Sequence, residues 1–79
     1  MAKTIFITGA STGLGKATAQ LFQNKGWKVI ATMRNPESGA DLAALENVTV
    51  LPLDVTNPEQ IRSTVKQALE LGTIDVVYN

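Results

Sequence analysis

Lys3-Thr4-Ile5-Phe6-Ile7-Thr8-Gly9-Ala10-Ser11-Thr12-Gly13-Leu14-Gly15 decides how this chain folds. An apolar run ending at a glycine reads as a buried strand, and the residues after Gly15 open an amphipathic helix. Between them lies a glycine-rich turn that feeds a strand into a helix N-terminus. Such an N-terminus carries unpaired N–H groups and the positive end of the peptide dipole, so anions, phosphate among them, settle there. The glycines divide the work. Gly9 permits the sharp exit from the strand. Gly13 lets the backbone approach a pyrophosphate with no Cβ in the way, and Gly15 lets the first helical turn pack closely on the sheet. The competing reading is a glycine-rich turn that holds no ligand.

Outward from this stretch, strands and helices alternate. Residues 3–8 form the first strand. Residues 14–25 form a helix in which Leu14, Ala17, Leu21 and Phe22 recur at helical spacing, and Gly26 stops it. Residues 28–33 are a second strand centred on Val29-Ile30-Ala31, and Asn35-Pro36 breaks the chain after it. A weak helix is expected at residues 38–45, with Ser38 and Asp41 as a possible N-cap pair. Residues 48–53 are a third strand. Thr56-Asn57-Pro58-Glu59-Gln60 is a strong helix start: Thr56 or Asn57 caps, Pro58 suits the first turn, and Glu59 or Gln60 can close a capping box. Ile61, Val65, Ala68 and Leu69 are expected to line the buried face of that helix, which Gly72 ends. Residues 74–78 are a fourth strand. This alternation with short loops implies an α/β, three-layer, Rossmann-like fold: a parallel sheet with right-handed crossovers and helices on both faces. The expected strand order is 3-2-1-4. The switch point then falls between strands 1 and 4, beside the glycine turn, where such sheets bind ligands.

The bulk properties narrow the function classes. With 79 residues the chain is at most one small domain. Seven basic and seven acidic residues are interspersed and cancel, so nothing points to nucleic acid or an anionic membrane. The absence of cysteine and histidine removes disulfides, thiol chemistry, the usual neutral-pH base and the commonest zinc ligand. The scattered acids make no metal cluster. Met1-Ala2-Lys3 runs straight into a strand with no leader or membrane span in view, so a cytoplasmic location is expected.

The glycine spacing is more specific than a bare triplet. The widespread dinucleotide fingerprint is G-x-G-x-x-G, whereas Thr8, Gly9, Gly13 and Gly15 spell T-G-x-x-x-G-x-G. In this the chain resembles the single-domain branch of the short-chain dehydrogenase/reductase family. The T-G-x-x-G-x-x-G of the larger epimerase-like branch does not fit. The resemblance runs over the whole chain. Family members run to roughly 250 residues as one domain, and commonly place Asn-Asn-Ala-Gly directly after the fourth strand, where Asn79 matches the first Asn. Residues 1–79 therefore read as the N-terminal part of a single NAD(P)-binding domain, cut after its fourth strand. That strand would be an apolar edge that complete proteins cover.

The resemblance implies roles for particular residues. Thr8 would bond the glycine turn or the end of the fourth strand. The hydroxyls and N–H groups of Ser11 and Thr12 can reach phosphate or ribose, or else are solvated turn groups. Leu14 is expected to be mainly a packing residue whose N–H joins the phosphate-facing set. An NAD-selective site places an acid at the end of the second strand, roughly 20 residues past the glycines, to bind the ribose hydroxyls. Here that position is neutral Met33, followed by Arg34, whose planar guanidinium suits a 2′-phosphate. This pair resembles NADP-preferring members, which makes NADP the expected cofactor and NAD the less favoured one; the bland alternative is a surface cation. Lys16 is a weaker second candidate that would face solvent. Asp54 would accept from the adenine amino group while the Val55 N–H meets the ring, or Asp54 is a turn residue ahead of Thr56. Asn79 would lie near the adenosine ribose or support the sheet.

Catalysis is not expected within these residues. The family reduces carbonyls or oxidises alcohols with Ser, Tyr and Lys, the last two spaced Y-x-x-x-K. Tyr78 has no lysine four residues on and reads as a strand residue. Ser63 and Lys66 look solvent-facing, and Asp75 has no partner acid. The whole protein would be a homo-oligomeric oxidoreductase acting on a small alcohol or carbonyl. A non-catalytic NADP-binding redox sensor, and a segment that folds only with the rest of its chain, are the alternatives.

Overall fold

The computed structural model describes residues 3–79; Met1 and Ala2, with the start of the run into the first strand, lie outside the described residues. The elements are β1 (Thr4–Ile7), α1 (Gly13–Asn24), β2 (Lys28–Met33), a 3₁₀ turn (Pro36–Gly39) leading into α2 (Ala40–Ala43), β3 (Val48–Pro52), α3 (Pro58–Glu70) and β4 (Val76–Tyr78). The strands form one sheet in the order β3-β2-β1-β4, every pair parallel, as the alternation implies. Period-2 alternation along β1 and β2 sends residues to opposite faces. Ile5, Ile7, Val29, Ala31 and Met33 form a core with Ala19 of α1 and Leu42 of α2. Phe6 and Ile30 turn the other way to meet Ala68 of α3. β1, paired on both sides and covered on both faces, is buried along its whole length.

The helices meet the sheet through smaller residues than periodicity suggests. In α1 the buried positions are Gly15 and Ala19, with Phe22 half-buried, while Leu14 and Leu21 are 77% and 52% exposed. The contact line is held by residues with little or no side chain, which draws the helix close to the sheet and turns the leucines outward. The same holds in α3. Thr64 and Ala68 are buried, whereas Val65 and Leu69 of the expected buried face are 37% and 57% exposed. The Thr64 hydroxyl donates to the Pro52 carbonyl at 2.6 Å, tying α3 to the end of β3.

The weak helix expected at residues 38–45 is instead a 3₁₀ turn starting at Pro36 followed by one turn of α-helix, and the Ser38–Asp41 cap does not form. Pro36 initiates this turn: its ring presets the backbone and its missing N–H is one that a first turn leaves unpaired anyway. The capping box of α3 is also only half made. Asn57 is the cap, its Oδ1 accepting from the N–H of Glu59 and of Gln60, both at 3.1 Å. Gln60 does not reach back to Asn57; its Oε1 accepts from the Asp54 N–H. Asn57→Ala is expected to cost about 1 kcal/mol of unfolding free energy, read by urea denaturation of the complete protein, and an unchanged midpoint would refute the cap.

Strand ends shift by a residue or two. β4 starts at Val76 because Asp75 does something else: its Oδ2 accepts from the Thr4 N–H at 2.8 Å while its own N–H donates to the Thr4 carbonyl at 2.9 Å. β4 is an edge strand, and Val76 and Val77 are 40% and 64% exposed.

Candidate functional site

The glycine turn lies at the C-terminal ends of β1 and β2, and four hydrogen bonds hold it. Thr8 donates its N–H to the Tyr78 carbonyl at 3.0 Å and its hydroxyl to Asn79 Oδ1 at 2.6 Å. Ala10 donates its N–H to the Thr32 carbonyl at 3.0 Å, and the fully buried Thr32 hydroxyl donates to the Ile7 carbonyl at 2.7 Å. Thr32 is a clamp that the sequence pattern does not single out; its one signal is a hydroxyl inside an apolar strand. Gly9 and Gly13 have φ of +64° and +62°, a region that strains any residue with a Cβ. Gly15 is required for a different reason, since a Cβ there would fall on the Gly9 carbonyl and within 3.2 Å of the Ala10 Cα.

The start of α1 suits an anion. Thr12 is its N-cap residue, with extended backbone, yet its side chain makes no capping bond, and the first turn holds no acid. α3 shows the opposite arrangement, with Asn57 capping and Glu59 in the first turn. The N–H groups of the Gly13-Leu14-Gly15 turn therefore have no side-chain acceptor, and the helix dipole is not offset there. Leu14 contributes backbone only: at 77% exposure it is not the packing residue expected.

Beside this turn a cleft of about 310 Å³ is lined from three loops: Gly9 and Ser11 after β1, Arg34 and Asn35 after β2, and Val55 after β3, with Ser38 of the 3₁₀ turn closing one side. Gly39 is buried, and a Cβ there would come within 2.6 Å of the Met33 sulfur, so Met33 is folded beneath the 3₁₀ turn. At the end of β2 this leaves Arg34, 76% exposed, as the charged group on the cleft. Asn35 and Ser38 were not anticipated as lining, because Asn35-Pro36 reads only as a break. Lys16 does not face solvent alone. Its Nζ lies 2.5 Å from Asp41 Oδ2, and that hydrogen bond is the main cause holding the Asp41 carboxyl below the ordinary carboxylate value.

Asp54 is fixed by its own turn. Its Oδ1 accepts from the Thr56 N–H at 2.9 Å and hydroxyl at 2.6 Å, and its Oδ2 stands 3.6 Å from Arg34 Nη2. The Thr56 hydroxyl, then the Thr56 N–H and, more weakly, the Arg34 cation hold its carboxyl below the ordinary value. The structure thus brings Gly9, Ser11, Arg34 and Val55 to one cleft with Asp54 at its rim, and Thr12, Gly13, Leu14 and Gly15 lead from it into α1. Asn79 sits behind the turn, bonded to Thr8. Tyr78 is half-buried against the α1-side core, and Ser63 and Lys66 are exposed. A larger groove of about 550 Å³ runs along α3 between Ile61, Val65 and Leu69, away from the glycine turn. Among the described residues there is no group of side chains placed to hold a metal, and no helix long and apolar enough to cross a membrane.

A parallel sheet in the order 3-2-1-4 with a glycine turn opening a helix at its switch point defines a Rossmann-type nucleotide-binding unit. The family model for short chain dehydrogenase matches residues 3–79, and the chain belongs to that family. It is 46% identical over 83 residues to Oxidoreductase BOA17 of Botryotinia fuckeliana, an alignment covering all of this chain and 30% of the relative. A short-chain dehydrogenase from Streptomyces avermitilis superposes with a TM-score of 0.92 at 36% identity, over 98% of this chain and 30% of that one. A 4-hydroxyisoleucine dehydrogenase complexed with NADH superposes with a TM-score of 0.83 at 31% identity, over 95% and 32%. The chain thus spans about 30% of the length of the relatives it matches.

Proposed function

We propose that residues 3–79 are the cofactor-holding part of a single NAD(P)-binding domain, and that the cofactor is NADP(H). The observation that carries the reading is an uncapped, acid-free α1 N-terminus that follows directly on a cleft lined by Gly9, Ser11 and an exposed Arg34. Backbone N–H groups of Gly13, Leu14 and Gly15 would take the pyrophosphate, with Ser11 and Thr12 at the turn. Arg34 would take the 2′-phosphate, and Val55 and Asp54 the adenine. Met33, buried beneath the 3₁₀ turn, offers no carboxylate to ribose hydroxyls. The structures similar to this chain include a protein bound to NADH, which supports a nicotinamide cofactor.

The cofactor supplies hydride transfer when bound; this chain's residues position it and select it. The complete protein would be an oxidoreductase on a small alcohol or carbonyl, with the family's Ser, Tyr and Lys supplied from outside these residues. Two features support a continuing domain: the exposed Val76 and Val77 on edge strand β4, and the exposed Val65 and Leu69 on α3. Calorimetric titration of the complete protein tests the cofactor reading. NADP is expected to bind at least about tenfold tighter than NAD, the worth of one charge-assisted contact. Equal affinities would overturn the NADP assignment, and binding of neither would overturn the site.

A further inference from the structure

The register of β2 on β3 pairs Met33 with Pro52, and the Leu53 N–H donates to the Met33 carbonyl at 2.8 Å. This clasp brings two loops together just where Arg34 and Asp54 leave the sheet. Asp54 is not free to turn aside. Thr56 holds its Oδ1 through two hydrogen bonds, and Gln60 holds its backbone N–H. The remaining oxygen, Oδ2, stands 3.6 Å from Arg34 Nη2, the one ion pair of Arg34 among the described residues. A carboxylate is thus anchored, by its own turn, against the guanidinium that lines the cleft.

We propose that Asp54 is a specificity-determining residue: its carboxylate competes with the 2′-phosphate of NADP for Arg34 and holds the preference for NADP below what Arg34 alone would give. The proposal rests on the reading of Arg34 as the phosphate ligand. NAD, with a neutral 2′-hydroxyl, leaves the pair intact. NADP must draw the guanidinium from the carboxylate before its phosphate can take it. Because Arg34 is exposed, Asp54 only half-buried and the two loosely spaced, breaking the pair costs little. Asp54 therefore moderates the choice and does not reverse it. The retained charge matters here: with its carboxyl held below the ordinary value, Asp54 stays ionised across neutral pH.

The test uses the fact that adenine is common to both cofactors. Whatever Asp54 gives to adenine binding, removing it weakens NADP and NAD alike and cancels in their ratio. Dissociation constants for NADP and NAD are measured by calorimetry on the complete protein, its Asp54→Asn and Arg34→Gln variants, and the double variant. Asp54→Asn is expected to raise the preference for NADP by about fivefold, within the range of an exposed ion pair. In the Arg34→Gln background the same change is expected to move the ratio by less than about twofold, as a coupled pair requires. If Asp54→Asn does not fold, Asp54→Ser keeps an oxygen for the Thr56 N–H and carries the same expectation. An unchanged or lowered preference in Asp54→Asn, with the preference still lost in Arg34→Gln, overturns the competition and leaves the phosphate reading standing. A fivefold rise that persists without Arg34 overturns it too, since the effect would then be direct repulsion. If Arg34→Gln leaves the preference untouched, both readings fall.

Discussion

Replacing Arg34 with glutamine is expected to weaken NADP binding by about ten- to a hundredfold, while NAD changes by less than about threefold. A hydrogen bond to a charged group contributes roughly 1.5–3 kcal/mol, and each 1.4 kcal/mol is a factor of ten in affinity. Arg34 can exert this effect because it is 76% exposed on the cleft and its pair with Asp54 is easily exchanged. Glutamine keeps length and polarity but loses the charge and the forked donors that match a phosphate. NAD offers nothing for that fork to hold, so its affinity serves as the internal control. The check is a pair of titrations on the complete protein. Equal losses for the two cofactors would show that Arg34 supports the cleft and does not read the 2′ position.

The second large effect separates two glycines that a motif treats alike. Gly15→Ala is expected to destabilise the protein by about 3 kcal/mol, the upper end for overpacking a close contact. Its Cβ would land on the Gly9 carbonyl, with the Gly9 carbonyl carbon 2.9 Å and the Ala10 Cα 3.2 Å away. None of these is a flexible side-chain end, so α1 itself must move off the sheet. Gly13→Ala meets nothing within 4 Å. Its cost to folding is the left-handed backbone at φ +62°, about 1–2 kcal/mol. Its larger consequence is for ligand, because the new methyl enters open space at the start of α1, where the pyrophosphate is proposed to sit. Urea denaturation should rank Gly15→Ala as the less stable variant. Cofactor titration of folded Gly13→Ala should show a loss of about tenfold or more, the scale of one charged hydrogen bond. The reverse ranking in denaturation would mean that close helix–sheet packing is not the task of Gly15.

The fold was legible because apolar strand runs alternate with helical segments bounded by glycine and proline, and nothing in the tertiary structure overrides them. Strand order followed from the short loops and the handedness of crossovers. The helix faces were misread for a physical reason. Leu14 and Leu21 are apolar at helical spacing, but the distance between helix and sheet is set by the smallest residues, Gly15 and Ala19. Hydrophobic periodicity ranks residues by transfer energy and is blind to how near two backbones must come. Pro36 was read as the end of one element when it begins the next, since its fixed φ serves both. The candidate site was legible where the motif is local, at Gly9 through Gly15, and at Arg34. Its other half was hidden. The Arg34–Asp54 pair depends on the β2–β3 register, and the Thr32 clamp depends on where the Ala10 N–H finds an acceptor. Both join residues about twenty positions apart, a distance no local pattern spans.

The bonds from Thr8 to Tyr78 and Asn79 also set an order of assembly. They join residues about seventy positions apart, whereas β1 finds β2 after only a short helical excursion. Closing the longer loop costs more chain entropy and comes later, so β1, β2 and β3 can pair before β4 arrives. During synthesis, β1 is then a temporary sheet edge, although it is the most deeply buried strand of the finished molecule. Tyr78 and Asn79 complete the bonds that hold the glycine turn at the same moment as β4 hides that edge. A ribosome stalled shortly before β4 emerges would hold a chain that is mostly paired, without the bonds from Tyr78 and Asn79 that hold the glycine turn, and attractive to chaperones that bind open strands.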